Sequence, residues 1–203
     1  MTDEPKLTLS AEELQLVTNT QWILTKRVII DKVNLLFGSL SVVFKNHVTA
    51  NEFLLHPAIV QSTPKIAKGE NYLQLPYVLL DYPRCFDKEN IFTIRTMFWW
   101  GNFFSITLHL SGKYKETFET ALQKNIQTLV QHDFYICINE DEWQHHFKAD
   151  NYMPVNKLTL GEINSITQSH FIKVAIKFPL EKWDTMPLLL EKSFLDLLQL
   201  IRN

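Results

Sequence analysis

The sequence predicts an α+β fold: an antiparallel or mixed sheet built around a β-hairpin at residues 91–110, with helices packed on its apolar face. Three observations lead there. Strand-like runs at 75–82, 91–99 and 103–110 follow one another too closely for a helical crossover, so neighbours must pair antiparallel. Segments of helical period stand before the strands, between them and after them, at about 10–47, 113–132 and 188–201. Finally, 46% hydrophobic and 21% charged residues in a chain of 203 describe an ordinary globular composition. A chain of that length buries a core without help from a metal or a disulfide. The expected organisation is a single domain over 1–203, with N-terminal helices at about 10–47 and the sheet and remaining helices in 75–203.

The first element opens on Ser10-Ala11-Glu12-Glu13, a capping box in which the serine hydroxyl takes the third backbone N–H and a glutamate reaches back. It runs to about Thr18. A second helical pattern sets Trp22, Ile29, Val33, Leu36, Leu40, Val43 and His47 on one face. Unbroken, its roughly 42 Å would be long for this chain, and Gly38-Ser39 offers a place to bend. Residues 56–74 hold two prolines, a glycine and little periodicity, which predicts a long ordered loop. The strand at 75–82 should end at Asp81-Tyr82-Pro83-Arg84, because proline cannot extend a ladder.

Between 91 and 110 the apolar row Phe92, Ile94, Thr96, Phe98 must share a face with Phe104, Ile106, Leu108, Leu110, since a slip of one residue inverts every side chain. A two-residue Gly101-Asn102 loop mixes the faces. A three-residue loop, Trp100-Gly101-Asn102, sets Phe98 opposite Phe104 and Ile94 opposite Leu108, with a left-handed residue that Asn102 tolerates. The other face then carries Thr93, Arg95, Ser105, Thr107 and His109. Further along, 113–132 reads as a helix with Phe118, Leu122, Ile126 and Leu129 inward. A short strand at 134–138, short helices at 141–147 and 161–168, and a last strand at 171–178 follow. Asp184 or Thr185 caps the C-terminal helix, with Pro187 in its first turn. Its apolar arc is wide: Leu188, Leu190, Phe194, Leu197, Leu198 and Ile201.

Composition excludes several function classes. Twenty basic and 22 acidic residues give a net charge of −2, with no basic run beyond Lys26-Arg27. Nucleic-acid binding by counterion release is therefore not expected. An acidic N-terminus and the lack of an apolar stretch of about 18 residues speak against a signal peptide or a membrane span. Cys85 and Cys137 stand outside any C-x-x-C spacing, which fits reduced thiols in a soluble, cytoplasmic protein. The five glycines form no G-x-G-x-x-G, G-x-S-x-G or phosphate-cradling loop. A dinucleotide, P-loop or α/β-hydrolase site is excluded and no cofactor is expected.

Two functional readings remain, and neither decides whether the protein is an enzyme. In the first, Arg95 and His109, with Thr107 beside them, hold a small anionic ligand on the polar sheet face, under the 56–74 loop. If 75–82 pairs with the hairpin, either Tyr77 and Asp81 or Val78 and Tyr82 join that face. An arginine enclosed there must meet an anion, exogenous or supplied by Asp81. In the second, Trp99 and Trp100 at the hairpin tip and the apolar terminal helix form a homodimer or partner interface. Asp141, Glu142, His145 and His146 are the densest metal-capable group. They lack the second Glu-x-x-His of a di-iron bundle and the H-E-x-x-H of a zinc hydrolase, so no metal is expected.

Overall fold

A computed structural model of the chain describes residues 7–202; the acidic residues 1–6 lie outside the described residues. Helices α1 (Ala11–Thr18), α2 (Thr20–Ala50) and α3 (Pro57–Val60) come first. Strands β1 (Lys65–Tyr72), β2 (Leu75–Phe86), β3 (Ile91–Trp99) and β4 (Phe103–Ser111) follow. Then come α4 (Gly112–Asn125), β5 (Tyr135–Cys137), β6 (Tyr152–Pro154), α5 (Leu160–Thr167), β7 (Phe171–Pro179) and α6 (Met186–Leu200). All seven strands make one antiparallel sheet in the order β1-β2-β3-β4-β7-β5-β6. This is the α+β architecture that the strand spacing implies.

The central hairpin has the register of the three-residue loop: Phe98 faces Phe104, Ile94 faces Leu108, Thr93 faces His109 and Arg95 faces Thr107. The left-handed residue is Gly101, at φ +68°, and not Asn102. Asn102 instead closes the turn through its backbone N–H to Trp99 and its side chain to Trp100. One sheet face carries Val78, Leu80, Tyr82, Phe92, Ile94, Phe98, Phe104, Ile106, Leu108, Val174 and Ile176, all buried under helices. Helix α2 supplies Val33, Phe37, Leu40, Phe44 and Val48 to that core, and Phe44 stacks on Phe194 of α6 at 4.0 Å between ring centroids.

Several expectations are corrected. Helix α2 runs unbroken through Gly38-Ser39 for 31 residues. The bend is unnecessary because the straight helix buries residues only from Val33 to Val48, while its first turns are mostly exposed and α1 buries no residue. The buried stripe is also rotated from the expected one: Phe37, Phe44 and Val48 are inside, whereas Val43 and His47 are half-buried. Residues 56–74 are not a loop. They hold α3 and the edge strand β1, so the sheet begins at Lys65 rather than at 75. Lys65, Lys68 and Glu70 are exposed there, and charges along an edge strand deter pairing with other chains. β1 joins β2 by a two-residue turn, Leu73-Gln74, with both residues at positive φ (47° and 67°). Strand β2 also continues past Pro83 to Phe86, because a register shift between Asp81 and Arg84 places the proline where no ladder N–H is needed. Among the described residues no helix is long and apolar enough to cross a membrane.

Candidate functional site

The second sheet face is polar at its centre and aromatic towards the hairpin tip. Asp81 of β2 is the register partner of Arg95 of β3, which puts Tyr77 and Asp81, rather than Val78 and Tyr82, on this side. The Arg95 guanidinium grips Asp81 bidentately, Nε to Oδ1 at 2.7 Å and Nη2 to Oδ2 at 2.9 Å. Both side chains are largely buried, at 13% and 10% exposure. The third nitrogen, Nη1, lies 3.2 Å from His145 Nε2. A guanidinium only donates, so this ring nitrogen carries the lone pair and the His145 proton sits on Nδ1. Burial first, then the nearby Lys173 and Arg95 charges, hold His145 well below the ordinary histidine pKa.

His109 of β4 lies two residues from Thr107, with its Nε2 2.8 Å from Glu142 Oε2. Burial pushes its pKa down, against the opposing pull of Glu142, so the neutral ring donates Nε2–H to the carboxylate. The same bond holds Glu142 below its usual range. With the proton at Nε2, Nδ1 is the basic site, the constitution of a general base. Beside it stands Lys173 of β7, 1% exposed. Its ammonium donates to the backbone carbonyls of Glu142 and Gln144. Its Nζ also lies 5.4 Å from the centroid of the Tyr152 ring. Burial above all lowers its pKa to about 8.

The cover over this face is residues 138–151, not 56–74. The expected helix at 141–147 does not form, because side chains take its backbone groups. Tyr72 Oη accepts the N–H of His145 and His146 at 2.7 and 3.0 Å. Lys173 takes the carbonyls of Glu142 and Gln144, Asp141 caps the N–H of Trp143, and Phe147 stacks on Tyr152 at 4.5 Å. The four metal-capable residues of this segment diverge: Asp141 turns to the Trp143 N–H and the Gln144 amide, Glu142 to His109, His145 to Arg95, His146 to Asp150.

Of the residues singled out from sequence, Arg95, His109, Thr107 and Asp81 are thus brought together, and Tyr77 is not. Tyr77 lies four residues along β2 from Asp81, with its ring over Gly69, where a Cβ would sit 2.5 Å from the ring. Trp99 is 5% exposed, enclosed by Tyr72 and Phe103. Trp100 is half-buried between Trp22 and Phe98. Lys173 stands outside the set expected from sequence, and Tyr72 belongs to it only as part of the 56–74 segment. The signal for Lys173 was present: in FIKVAIKF it alternates with Ile172, Val174 and Ile176, which assigns it to the face of Arg95. Next to the cluster a cleft of about 550 Å³ is lined by Cys137, Asn139, Glu140, Ile166, His170 and Phe171. Phe171 also touches the His109 ring. No family model, curated protein or solved structure gives a significant match to this chain.

Proposed function

We propose that the protein binds a small anionic ligand, a carboxylate or phosphate, on the polar sheet face beneath residues 138–151. The balance of charge supports this reading. With the segment docked, Arg95 and Lys173 are offset by Asp81 and Glu142, while both histidines are neutral. Three of these charges belong to strands; Glu142 alone belongs to the cover. Lifting 138–151 leaves two cations against one carboxylate, with Thr107 and the His109 N–H beside them. A ligand anion that takes the place of Glu142 restores the balance, which a low-dielectric site demands. The adjoining cleft offers a way in. The near-neutral net charge fits a small ligand better than nucleic acid, and two free cysteines fit a reducing compartment such as the cytoplasm.

Thermal unfolding of the wild type, Glu142→Gln and Lys173→Met against a panel of small carboxylates and phosphates tests the proposal. At a hundredfold excess over Kd a true ligand stabilises the wild type by about 2.7 kcal/mol. Glu142→Gln, freed of the internal competitor, should bind it more tightly, and Lys173→Met should lose it. If no compound shifts either the wild type or Glu142→Gln, the reading is wrong.

A further inference from the structure

A second row of side chains crosses the polar sheet face beside the one that holds Arg95. Register sets Arg84 of β2 opposite Thr93 of β3, Thr93 opposite His109 of β4, and His109 opposite Lys173 of β7. Two members of this row lack a polar partner within the chain. Thr93 is 1% exposed, and its hydroxyl makes no hydrogen bond. A buried hydroxyl left unpaired is destabilising, and valine, of the same shape and at ease in a strand, would fill the position without that cost. Arg84 is half-buried, with its guanidinium carbon 5.7 Å from the centroid of the Phe86 ring. It makes no ion pair among the described residues. The carboxylates three residues to either side are engaged elsewhere. Arg95 holds both oxygens of Asp81, and Asp87 accepts from the backbone of Glu89 and Asn90 and from the Asn90 amide.

We infer that the ligand of this face is a small dianion, with one anionic group in the place of Glu142 beside His109 and Lys173 and the second on Thr93 and Arg84; this rests on the ligand reading proposed above and extends it. A guanidinium offers two parallel N–H donors that match a carboxylate, and the Thr93 O–H supplies a third. Charge agrees with the geometry. Counting only side chains shielded from solvent, lifting 138–151 leaves Arg84, Arg95 and Lys173 facing Asp81 alone. A monoanion leaves one of these cations unanswered, and a dianion does not. The same lift withdraws Trp143, whose ring packs edge-on against His109 at 5.8 Å, from the middle of the row. Adjacent strands lie about 4.8 Å apart, so the two anionic groups sit one to two strands from each other, roughly 5–10 Å. A dicarboxylate with roughly three to six methylenes spans that gap.

Thermal-shift titrations of the full chain with the straight-chain diacids from glutarate to suberate test it. Each diacid is compared with its own monomethyl ester, which keeps the length and drops one charge. The wild type should bind at least one diacid about tenfold or more tighter than its ester, as a charge-assisted pair warrants. Arg84→Gln and Thr93→Val should each erase that advantage while the ester binds as before, which also shows that the variants are folded. Without ligand, Thr93→Val should melt no lower than the wild type, because its hydroxyl has no partner to lose. Diacid and ester binding equally to the wild type would overturn the dianion and leave the single-anion reading standing. A free Thr93→Val that melts below the wild type would also overturn it, since the hydroxyl would then serve the fold. Silence of every diacid and ester on both the wild type and Glu142→Gln would remove the two readings together.

Discussion

Arg95 lies at the centre of the polar face because two neighbours between them use all three of its nitrogens. Asp81 takes two of its nitrogens, and His145 offers a lone pair to the third. Arginine cannot release its proton, so deleting one partner leaves a buried charge unanswered. Arg95→Ala should therefore destabilise the fold by about 3–5 kcal/mol in urea unfolding, whereas Arg95→Met combined with Asp81→Leu should recover most of the loss, since no buried charge is then left over. A loss below about 1 kcal/mol for Arg95→Ala would mean that water reaches the pair freely. Lys173 follows a different logic. Its direct partners are two backbone carbonyls of 138–151, so a strand residue holds the cover in place through main-chain oxygens.

At the scale of elements, the β1–β2 turn is the least comfortable piece of backbone. Leu73 and Gln74 both adopt positive φ, a region that costs a residue with a Cβ roughly 1–2 kcal/mol relative to glycine. Such turns favour Asn-Gly, whose backbone twist matches that of the strands. Leu73 is half exposed and contributes no core packing that would offset the strain. Leu73→Asn with Gln74→Gly should thus raise stability by about 1 kcal/mol, read as a higher urea midpoint at unchanged m-value. A lowered midpoint would show that Leu73 packs more than its exposure implies. The same residues explain why β1 escapes a pattern search: its turn lacks turn residues, and its strand lacks alternation.

For the whole molecule, the neutral histidines tie stability to pH. His109 and His145 have depressed pKa values when folded. The unfolded chain therefore takes up their protons first, and stability falls as pH drops below about 6.5, by up to ~1.4 kcal/mol per pH unit for each ring. Lys173 is depressed as well, to about 8; between there and the ordinary lysine value, rising pH deprotonates it more readily in the folded state and adds stability. Urea midpoints should rise from pH 5 to about 6.5, level off, and rise again between about pH 8 and 9. A flat profile between pH 7.5 and 5.5 would mean that the rings titrate as they do in water.

What the sequence determined by itself is whatever depends on neighbours along the chain. The two apolar rows of 91–110 admit one register, and the capping box at Ser10 starts α1 as its hydroxyl and carboxylate require. The polar face with Arg95, Thr107 and His109 follows from that register, and Asp81 joins it once β2 pairs. Tertiary structure alone decided the rest. Whether 141–147 forms a helix depends on Tyr72 and Lys173, which lie far from it in sequence and bind its backbone groups more advantageously than a single helical turn could. Whether α2 bends depends on which of its turns the core takes up, here those from Val33 to Val48. Short elements take their conformation from long-range partners because their own hydrogen bonds are too few to offset the entropy of ordering them.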